Sequence, residues 1–356
     1  MANSDTLVIG LDIGGTSSRA LVSTLTGIPV GYGRAGAGNP VSRPPEAAAA
    51  AMLSALRQAL AGLDAAEVRA GVLGLAGRGR LADARVGAIF QRAWEDAGLR
   101  CPMRVVGDVL VAFASGSGDP AGTVLVSGTG AVAAEIRDGR VHRTADGLGW
   151  LLGDEGSAFW LGREAVRRVT RDIYADRQTG PLATLVTRHL LGPDGLTGDR
   201  GEDADAVVTA SYALVPRALA RLAPLVSQAA AEDPLARDIV QDAAARLAGS
   251  VAEIRDAASE NPIVLSGGVL TSGGPVTAAV RRLLRDRWKA PVFTAAPGVV
   301  GGVCLAARAL ARVDVDELRA RLQEAAPWRP PADSPDTHGK DRHADPPTGH
   351  VRPGER

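Results

Sequence analysis

One local pattern occurs twice in this chain of 356 residues: an apolar strand, a turn of glycine and hydroxyl residues, and a second strand. The first copy runs from the strand 7–12 into the turn 14–17, and the second from the strand 122–126 into the turn 127–130. A further short strand follows each copy, so each is typical of an antiparallel meander. We interpret the pair as an internal duplication, which predicts two α/β domains built on one plan.

The composition excludes several classes of protein. Forty basic residues balance forty acidic ones, so the net charge of zero provides no general attraction for nucleic acid. Two cysteines cannot make a disulfide framework or a four-thiolate zinc site. Residues 1–7 lack the basic and apolar regions of a signal peptide, and no run of about 18 apolar residues could span a membrane. We therefore expect a cytoplasmic protein without nucleic-acid or membrane partners.

The order of the predicted elements divides the chain into three parts. Residues 1–116 form a first domain, and residues 117–326 form a second domain with a helical insertion over about 157–260. The last helices are expected to pack back on the first domain. Residues 327–356 are rich in proline and hold three of the five histidines, so we expect a disordered tail without a metal-binding role.

Prolines and polar runs mark the limits of the helices. The first helix is predicted over 44–63, beginning at a proline as helices commonly do. Residues 191–205, with many glycines and aspartates, are predicted as a loop. Helices are predicted over 203–258, with breaks near Pro216, Pro224 and Pro234.

The turn after the first strand, in the sequence Asp-Ile-Gly-Gly-Thr-Ser, has the chemistry of a phosphate-binding nest. Successive backbone N–H groups in a tight turn suit phosphate oxygens, and Gly14 and Gly15 allow a ligand to approach closely. Thr16 and Ser17 add hydroxyl groups. Asp12 would face the same phosphates and could hold Mg²⁺ through water. The alternative is an ordinary hairpin turn.

Two later strands end in comparable turns. The first of these turns consists of Ser127, Gly128, Thr129 and Gly130, and the second contains Gly267 and Gly268. The turn 127–130 occupies the same place in the second domain as 14–17 in the first. We therefore expect the two to hold one polyphosphate between the domains, and 267–268 to approach the nucleoside. The alternative for 267–268 is a simple strand-to-helix turn.

Taken together, these turns resemble the motifs of the sugar kinase, actin and heat-shock chaperone ATPase superfamily. The block 147–158, Gly-Leu-Gly-Trp-Leu-Leu-Gly-Asp-Glu-Gly-Ser-Ala, is more specific. About twenty residues after Ser-Gly-Thr-Gly, it resembles the N-acetylglucosamine kinase branch, which is grouped with the BadF/BadG/BcrA/BcrD ATPase family. The resemblance covers roughly residues 6–312. The high alanine and arginine content is similar to that of the actinobacterial glucosamine kinases of this branch.

The resemblance implies a fold, a reaction and a base. The fold would be α/β, with two actin-like (ribonuclease H-like) domains, a duplicated βββαβαβα core and an active-site cleft between the domains. ATP with Mg²⁺ would phosphorylate the 6-hydroxyl of an amino sugar, and the protein would be a homodimer. Asp108 matches the catalytic aspartate of the family, the general base for that hydroxyl. The alternative makes Asp108 the N-cap of a helix over 109–115.

The resemblance also implies the sugar contacts. Asp154 matches a residue that binds sugar hydroxyls, and Glu155 either reaches the sugar or caps the helix near residue 157. Asn39 matches a sugar-binding asparagine. The alternative is that Asn39 shapes a turn before proline and contacts no sugar. Gly147 and Gly149 would allow the backbone to approach the sugar closely.

Asp146 departs from the family pattern. N-acetyl kinases of this branch tend to have a small residue at this position. A carboxylate would repel the carbonyl of an acetamide and attract a free ammonium group. We therefore predict that Asp146, with Asp154 or Glu155, selects a 2-amino sugar over its N-acetylated form. The alternative is a turn aspartate without a ligand.

Other functions remain open at this point. An N-acetylglucosamine or glucose kinase would use the same residues. An ATPase activator of a radical dehydratase or reductase would need cysteines for an iron–sulfur cluster, and neither Cys101 nor Cys304 lies in such a setting. A sugar-responsive repressor would need an N-terminal helix-turn-helix, for which about six residues before the first strand are too few. A non-catalytic nucleotide-binding protein would have no reason to retain Asp108.

Overall fold

The computed structural model describes residues 6–193, 195–310 and 313–326. Its first sheet has five strands in the order β3-β2-β1-β4-β5. These strands are β1 (Leu7–Ile13), β2 (Ser18–Thr24), β3 (Pro29–Ala35), β4 (Val68–Leu75) and β5 (Met103–Gly107). The first three are antiparallel neighbours, and β4 and β5 extend the sheet in parallel with β1.

The second sheet repeats this arrangement. Its strands are β6 (Gly122–Ser127), β7 (Ala131–Arg137), β8 (Arg140–Asp146), β9 (Ile263–Ser266) and β10 (Val292–Thr294), in the order β8-β7-β6-β9-β10. Again the first three strands form an antiparallel meander and the last two add in parallel. The internal duplication and the α/β fold class predicted from the two strand–turn–strand copies are confirmed.

Helices connect the strands and cover the sheets. The helices of the first half are α1 (Pro45–Ala59), α2 (Ala84–Asp96) and α3 (Asp108–Gly116). Those of the second half are α4 (Ala158–Tyr174), α5 (Pro181–Leu191), α6 (Arg200–Tyr212), α7 (Ala223–Ala229), α8 (Pro234–Ile254), α9 (Gly268–Thr271), α10 (Pro275–Arg287), α11 (Gly298–Leu310) and α12 (Val315–Ala325). Short 3₁₀ helices lie at Ala65–Glu67, Arg78–Ala82 and Pro216–Leu222. In the described parts of the chain, no helix is both long and apolar enough to cross a membrane.

Helix α11 packs directly on the first sheet although it follows the last strand of the second. The backbones of α11 and β1 are so close that a Cβ on Gly10 would lie 2.3 Å from the backbone nitrogen of Val303. A second contact joins α11 to α3, where a Cβ on Gly301 would lie 1.9 Å from the carbonyl oxygen of Val111. One buried apolar cluster therefore contains side chains from both sheets together with α3 and α11. The domain limits 1–116 and 117–326 themselves stay predictions.

The structure corrects the predicted loop over 191–205. Helix α6 already begins at Arg200, after its N-cap Asp199, whose carboxylate accepts from the Glu202 N–H at 3.1 Å. The buried Asp203 carboxylate accepts from the N–H groups of Thr197 and Gly198 at 2.6 and 3.0 Å. Aspartates that looked like loop composition therefore cap and anchor a helix. The preceding helix α5 was also missed.

One further helix limit differs from the prediction, since the first helix ends at Ala59 rather than near Leu63. The predicted breaks near Pro216, Pro224 and Pro234 are confirmed, because each of these prolines lies in the first turn of a new helical segment, where its missing N–H costs nothing. The predicted disordered tail, 327–356, lies outside the described residues.

Candidate active site

The first half of the candidate site lies at the edge of the first sheet where three parallel strands end. The register pairs Ile13 of β1 with Leu75 of β4, and Leu75 with Gly107 of β5. The turn 14–17 and Asp108 therefore leave the sheet at the same edge. In α/β proteins, ligands bind at the carboxyl ends of such strands.

The turn 14–17 is open to the outside of this edge. The Gly14 N–H donates to the Ser17 carbonyl at 2.9 Å, which closes the turn, while Gly15 and Thr16 are exposed. Neither Gly14 nor Gly15 has a positive φ. A Cβ on Gly14 would meet nothing closer than 3.9 Å. The glycines are therefore not needed for the turn conformation, and what they supply is free space beside the backbone.

Asp12 lies beneath this turn in a restricted environment. Helix α11 begins against it, so that a Cβ on Gly298 would lie 2.6 Å from the Asp12 carboxyl carbon. Burial raises the pKa of Asp12 to about 6, while the charge of Arg19 lowers it and that of Asp108 raises it further. The two aspartates predicted for metal binding and for base catalysis are thus electrostatic neighbours.

Asp108 is the first residue of α3, and Gly107 is the N-cap. One carboxylate oxygen, Oδ1, accepts from the Val109 N–H at 3.0 Å. Its second oxygen makes no hydrogen bond with the described residues. Burial raises the pKa of Asp108, and the hydrogen bond from Val109 lowers it. The N-cap alternative for Asp108 is wrong, and one carboxylate oxygen remains available to a ligand.

The second half of the site lies at the corresponding edge of the second sheet. There β6 and β9 end together, with Val126 paired to Ser266. The turn 267–268 packs on the turn 127–130, and a Cβ on Gly267 would lie 2.3 Å from the Ser127 carbonyl oxygen. Gly267 has a φ of +84°, a conformation that favours glycine. These turns form one backbone surface.

Two polar groups of the turn 127–130 serve its own structure. The hydroxyl of Ser127 is fully buried and donates to the Gly156 carbonyl at 3.1 Å. The Gly128 carbonyl accepts from the Ala158 N–H at 2.8 Å, which ties the turn to the start of α4. The predicted phosphate contact of Ser127 would therefore have to come from its backbone N–H. A contact from its hydroxyl would first require that the hydrogen bond to Gly156 break.

Asp146 anchors the loop 146–155. Its carboxylate accepts from the backbone N–H groups of Asp154 and Glu155, both at 2.7 Å. The loop folds so tightly that a Cβ on Gly153 would lie 2.2 Å from Oδ1 of Asp146. Both oxygens of Asp146 are thus engaged, although each could accept a second bond. Its selection of an amino sugar stays a prediction.

Asp154 lies against the second glycine turn. Its Oδ1 accepts from the Ala131 N–H at 3.0 Å, and a Cβ on Gly130 would lie 2.6 Å from the same oxygen. Burial raises the pKa of Asp154, the bond from Ala131 lowers it, Asp146 raises it and Arg217 lowers it. Asp154 therefore joins the loop 146–155, the predicted sugar loop, to the predicted phosphate turn 127–130.

Glu155 is turned away from this arrangement. Its carboxylate forms an ion pair with Arg246 of α8. It does not cap the next helix, because Ser157 is the N-cap of α4 and accepts from the Trp160 N–H at 3.1 Å. A sugar contact from Glu155 would have to compete with Arg246.

The remaining predicted sugar contacts lie on open turns. Asn39 accepts from the Val41 N–H at 2.8 Å through its side-chain oxygen, so it does shape a turn. The Asn39 amide nitrogen makes no hydrogen bond with the described residues. Gly147 and Gly149 have φ of +72° and +81°, and a Cβ on Gly149 would meet nothing within 4 Å. Close approach of a ligand to Gly149 is therefore sterically free.

Two arginines beside the candidate site residues were missed by the sequence analysis. Arg78 lies against the residue before Asp108, with its Nε 3.7 Å from the Cβ position of Gly107. Arg217 reaches the first glycine turn from the second half of the molecule, with its Nη1 3.6 Å from the Cβ position of Gly15. Both lie on 3₁₀ helices outside any local motif. No pattern in the sequence marks them.

Both cysteines are buried. Cys101 and Cys304 are 8% and 1% exposed. Burial raises the pKa of the Cys304 thiol to about 12, which disfavours the thiolate that metal binding needs. This agrees with the expectation that neither cysteine serves an iron–sulfur cluster. Among residues 6–193, 195–310 and 313–326, no group of three or more His, Cys, Asp or Glu side chains could hold a metal ion.

Comparison with known proteins finds two related sugar kinases. The chain is 26% identical over 240 residues to glucosamine kinase GspK of Vibrio cholerae, which covers 67% of this chain and 76% of that protein. It is 28% identical over 193 residues to N-acetyl-D-glucosamine kinase of Dictyostelium discoideum, covering 51% and 57% of the two chains.

A solved structure extends the comparison to almost the whole fold. A candidate N-acetylglucosamine kinase from Chromobacterium violaceum superposes with a TM-score of 0.63 at 25% identity, covering 90% of this chain and 100% of that one. The model of one family matches residues 9–306, from the first strand into α11. The chain therefore belongs to the BadF/BadG/BcrA/BcrD ATPase family.

Proposed function

We propose that this protein transfers the γ-phosphate of ATP to the 6-hydroxyl of glucosamine, giving glucosamine 6-phosphate and ADP. The observation that carries the proposal is that the first glycine turn and Asp108 leave the first sheet at one edge, while the second glycine turn leaves the second sheet at the corresponding edge. Arg217 bridges the two sides, since it reaches Gly15 and its charge acts on Asp154. Family membership and the two kinase relatives support the choice of reaction.

The glycine turns are assigned to ATP. Backbone N–H groups of 14–17 and 127–130 would bind the phosphate oxygens, and 267–268 would contact the nucleoside. Nucleotide-bound Mg²⁺ usually takes one or two carboxylates besides phosphates and water, and Asp12 suits that role. When bound, Mg²⁺ neutralises charge on the phosphates. A cluster of three protein ligands is not required for such an ion.

Asp108 is assigned as the general base. Its free carboxylate oxygen would accept the proton of the sugar 6-hydroxyl while the sugar oxygen attacks the γ-phosphorus. The bond from the γ-phosphorus to the bridging oxygen of ATP then breaks, and ADP leaves. Burial raises the pKa of Asp108, which makes its carboxylate a stronger base than an exposed aspartate.

The choice of glucosamine rests on the acidic sugar loop. Asp146 and Asp154 are neighbouring carboxylates of this loop, and an ammonium group would reduce the repulsion between them. An acetamide would not. This preference is the finer part of the proposal, and N-acetylglucosamine is the competing substrate. The cytoplasmic location and the homodimer also stay predictions. Sedimentation of the purified protein would test the homodimer.

A sugar-dependent ADP-release assay tests the proposed function. Purified protein is given ATP and Mg²⁺ with glucosamine, N-acetylglucosamine, glucose or no sugar, and Asp108→Asn serves as the inactive control. We expect ADP release that depends on sugar and is fastest with glucosamine. Release that is the same without sugar, or the same in Asp108→Asn, would contradict the proposal.

A further inference from the structure

Arg217 extends from the second half of the molecule to the first glycine turn. It is the second residue of the 3₁₀ helix Pro216–Leu222, which belongs to the helical part of the second half. Its guanidinium Nη1 lies 3.6 Å from the Cβ position of Gly15. No other atom lies within 4 Å of that position outside the immediate neighbours of Gly15. The guanidinium thus occupies the free space beside the exposed turn.

Arg217 has no close polar partner among the residues that the structure describes. It is exposed, and it makes no hydrogen bond or ion pair with the residues that the structure describes. Arg167, Arg168 and Arg246 of the same helical part all pair with carboxylates. A cation held at a cleft without a close partner can bind an anionic ligand without first breaking an ion pair.

The backbone that carries Arg217 is held firmly. Helix α4 packs so closely on the 3₁₀ helix that a Cβ on Gly162 would lie 1.9 Å from the Leu219 carbonyl oxygen. The N-cap of α4 is Ser157, which follows the loop containing Asp154. Arg217 is therefore tied to the sugar loop and second glycine turn, while its guanidinium reaches the first turn.

The site needs such a cation. Its carboxylates include Asp12, Asp108, Asp146 and Asp154, which are all negative when ionised, and the triphosphate of ATP adds further negative charge. In phosphoryl transfer, charge on the phosphate oxygens is neutralised by metal ions and by cationic side chains such as arginine. An arginine offers two parallel donors that match two phosphate oxygens.

We propose that Arg217 binds the phosphates of ATP from the second half of the molecule and stabilises the phosphoryl group during transfer. This inference rests on the proposed function. The guanidinium donates hydrogen bonds and neither gains nor loses a proton, so the bonds formed and broken remain those of the kinase reaction. Because the guanidinium lies beside the turn 14–17, phosphate binding would also hold the two halves of the site together.

Nucleotide affinity tests this role without requiring turnover. Calorimetric titration with ATP and with AMP compares the wild type, Arg217→Ala, Arg217→Lys and Arg221→Ala. Arg221 is the matched control, because it is exposed on the same 3₁₀ helix and makes no hydrogen bond or ion pair with described residues. We expect Arg217→Ala to weaken ATP binding about tenfold or more and AMP binding less than about twofold. Arg221→Ala should bind both as the wild type does.

Measurements of turnover distinguish two roles for Arg217, namely phosphate binding and neutralisation of the charge on Asp154. We expect Arg217→Ala to lower kcat on the order of 10²-fold, with Arg217→Lys intermediate. Unchanged ATP affinity and kcat with a raised sugar KM would instead assign Arg217 to Asp154 and overturn the proposal. If the wild type phosphorylates no sugar, the proposed function fails, while the difference between ATP and AMP binding still decides the role of Arg217.

Discussion

The carboxylate of Asp146 accepts a hydrogen bond from the backbone N–H of Asp154 at 2.7 Å. A second bond of equal length comes from the N–H of Glu155. The residue predicted to read the amino group of the sugar is therefore also the anchor of the sugar loop. Substitutions at this position will change the loop and the ligand contacts together. Stability and sugar preference therefore have to be measured separately.

Asp146→Ala is expected to destabilise the protein by roughly 1–3 kcal/mol, because two backbone donors lose their acceptor. Asp138→Ala is the matched control, since Asp138 also has a positive φ but makes no side-chain hydrogen bond with the described residues. Chemical unfolding measures both. Equal losses in the two variants would contradict the anchoring role. If Asp146 also selects the amino sugar, the ratio of activity with glucosamine to activity with N-acetylglucosamine should fall in Asp146→Ala. A loss that is equal for both sugars would reflect only the change in the loop.

Asp108→Asn is expected to lower kcat by roughly 10²–10⁴-fold if Asp108 is the general base. The amide oxygen can still accept from Val109, so the start of α3 should be retained. Circular dichroism and ATP affinity check that the fold and the nucleotide site survive. A loss of less than tenfold would show that another group takes the proton.

The raised pKa values of Asp12 and Asp108 predict an acid limb in the pH profile. Both carboxylates must be ionised in the proposed roles, and burial raises both pKa values, that of Asp12 to about 6. As the pH falls through about 6, Asp12 takes up a proton, and the raised pKa of Asp108 acts in the same direction, so kcat/KM should fall. The initial rate is measured from pH 5 to 8 at low sugar concentration. A rate that stays constant down to pH 5 would contradict this assignment.

Asp12→Asn is expected to stabilise the folded protein in the absence of nucleotide and metal. The pKa of Asp12 lies above its ordinary value of 3.8 in the folded state. Between about pH 4 and 6 the folded state therefore binds more protons than the unfolded state, and stability falls as the pH rises. The substitution removes this cost, so the free energy of unfolding at pH 7 should rise on the order of 1 kcal/mol, with little change at pH 4. An unchanged free energy of unfolding at pH 7 would show that burial of the Asp12 carboxylate does not destabilise the folded state.

Gly267 and Gly268 form a matched pair for the third glycine turn. Gly267→Ala places a Cβ 2.3 Å from the Ser127 carbonyl oxygen at a φ of +84°, so it should cost at least about 1–3 kcal/mol of stability. Gly268 has open space around its Cβ position, so Gly268→Ala should leave stability unchanged. If a nucleoside lies against this turn, Gly268→Ala should still weaken ATP binding. Wild-type affinity in Gly268→Ala would remove 268 from the nucleotide site.

Local patterns were sufficient for most of the fold. Apolar runs that end in glycine turns predicted both meanders, because a strand of period two and a turn are each specified by a few adjacent residues. The helical part was harder. Asp199 and Asp203 looked like loop residues, since a cap and a turn use the same side chains.

Some residues of the candidate site could also be predicted from local sequence, and others could not. Asp12, the turn 14–17 and Asp108 stand at strand ends, where the motif and the parallel register together place them. Arg217 could not be found from its neighbours in sequence, because its relation to Gly15 exists only after two distant segments have packed. The hydrogen bonds of Asp146 are local, yet residue type alone does not distinguish a loop anchor from a ligand contact.

Identification of the product tests the central claim most directly. Wild-type protein is incubated with ATP, Mg²⁺ and an equimolar mixture of glucosamine and N-acetylglucosamine, and the products are resolved by ³¹P and ¹H NMR. The proposed function predicts ADP and a phosphate monoester on the 6-position, predominantly of glucosamine. ADP with inorganic phosphate and no sugar ester would contradict it.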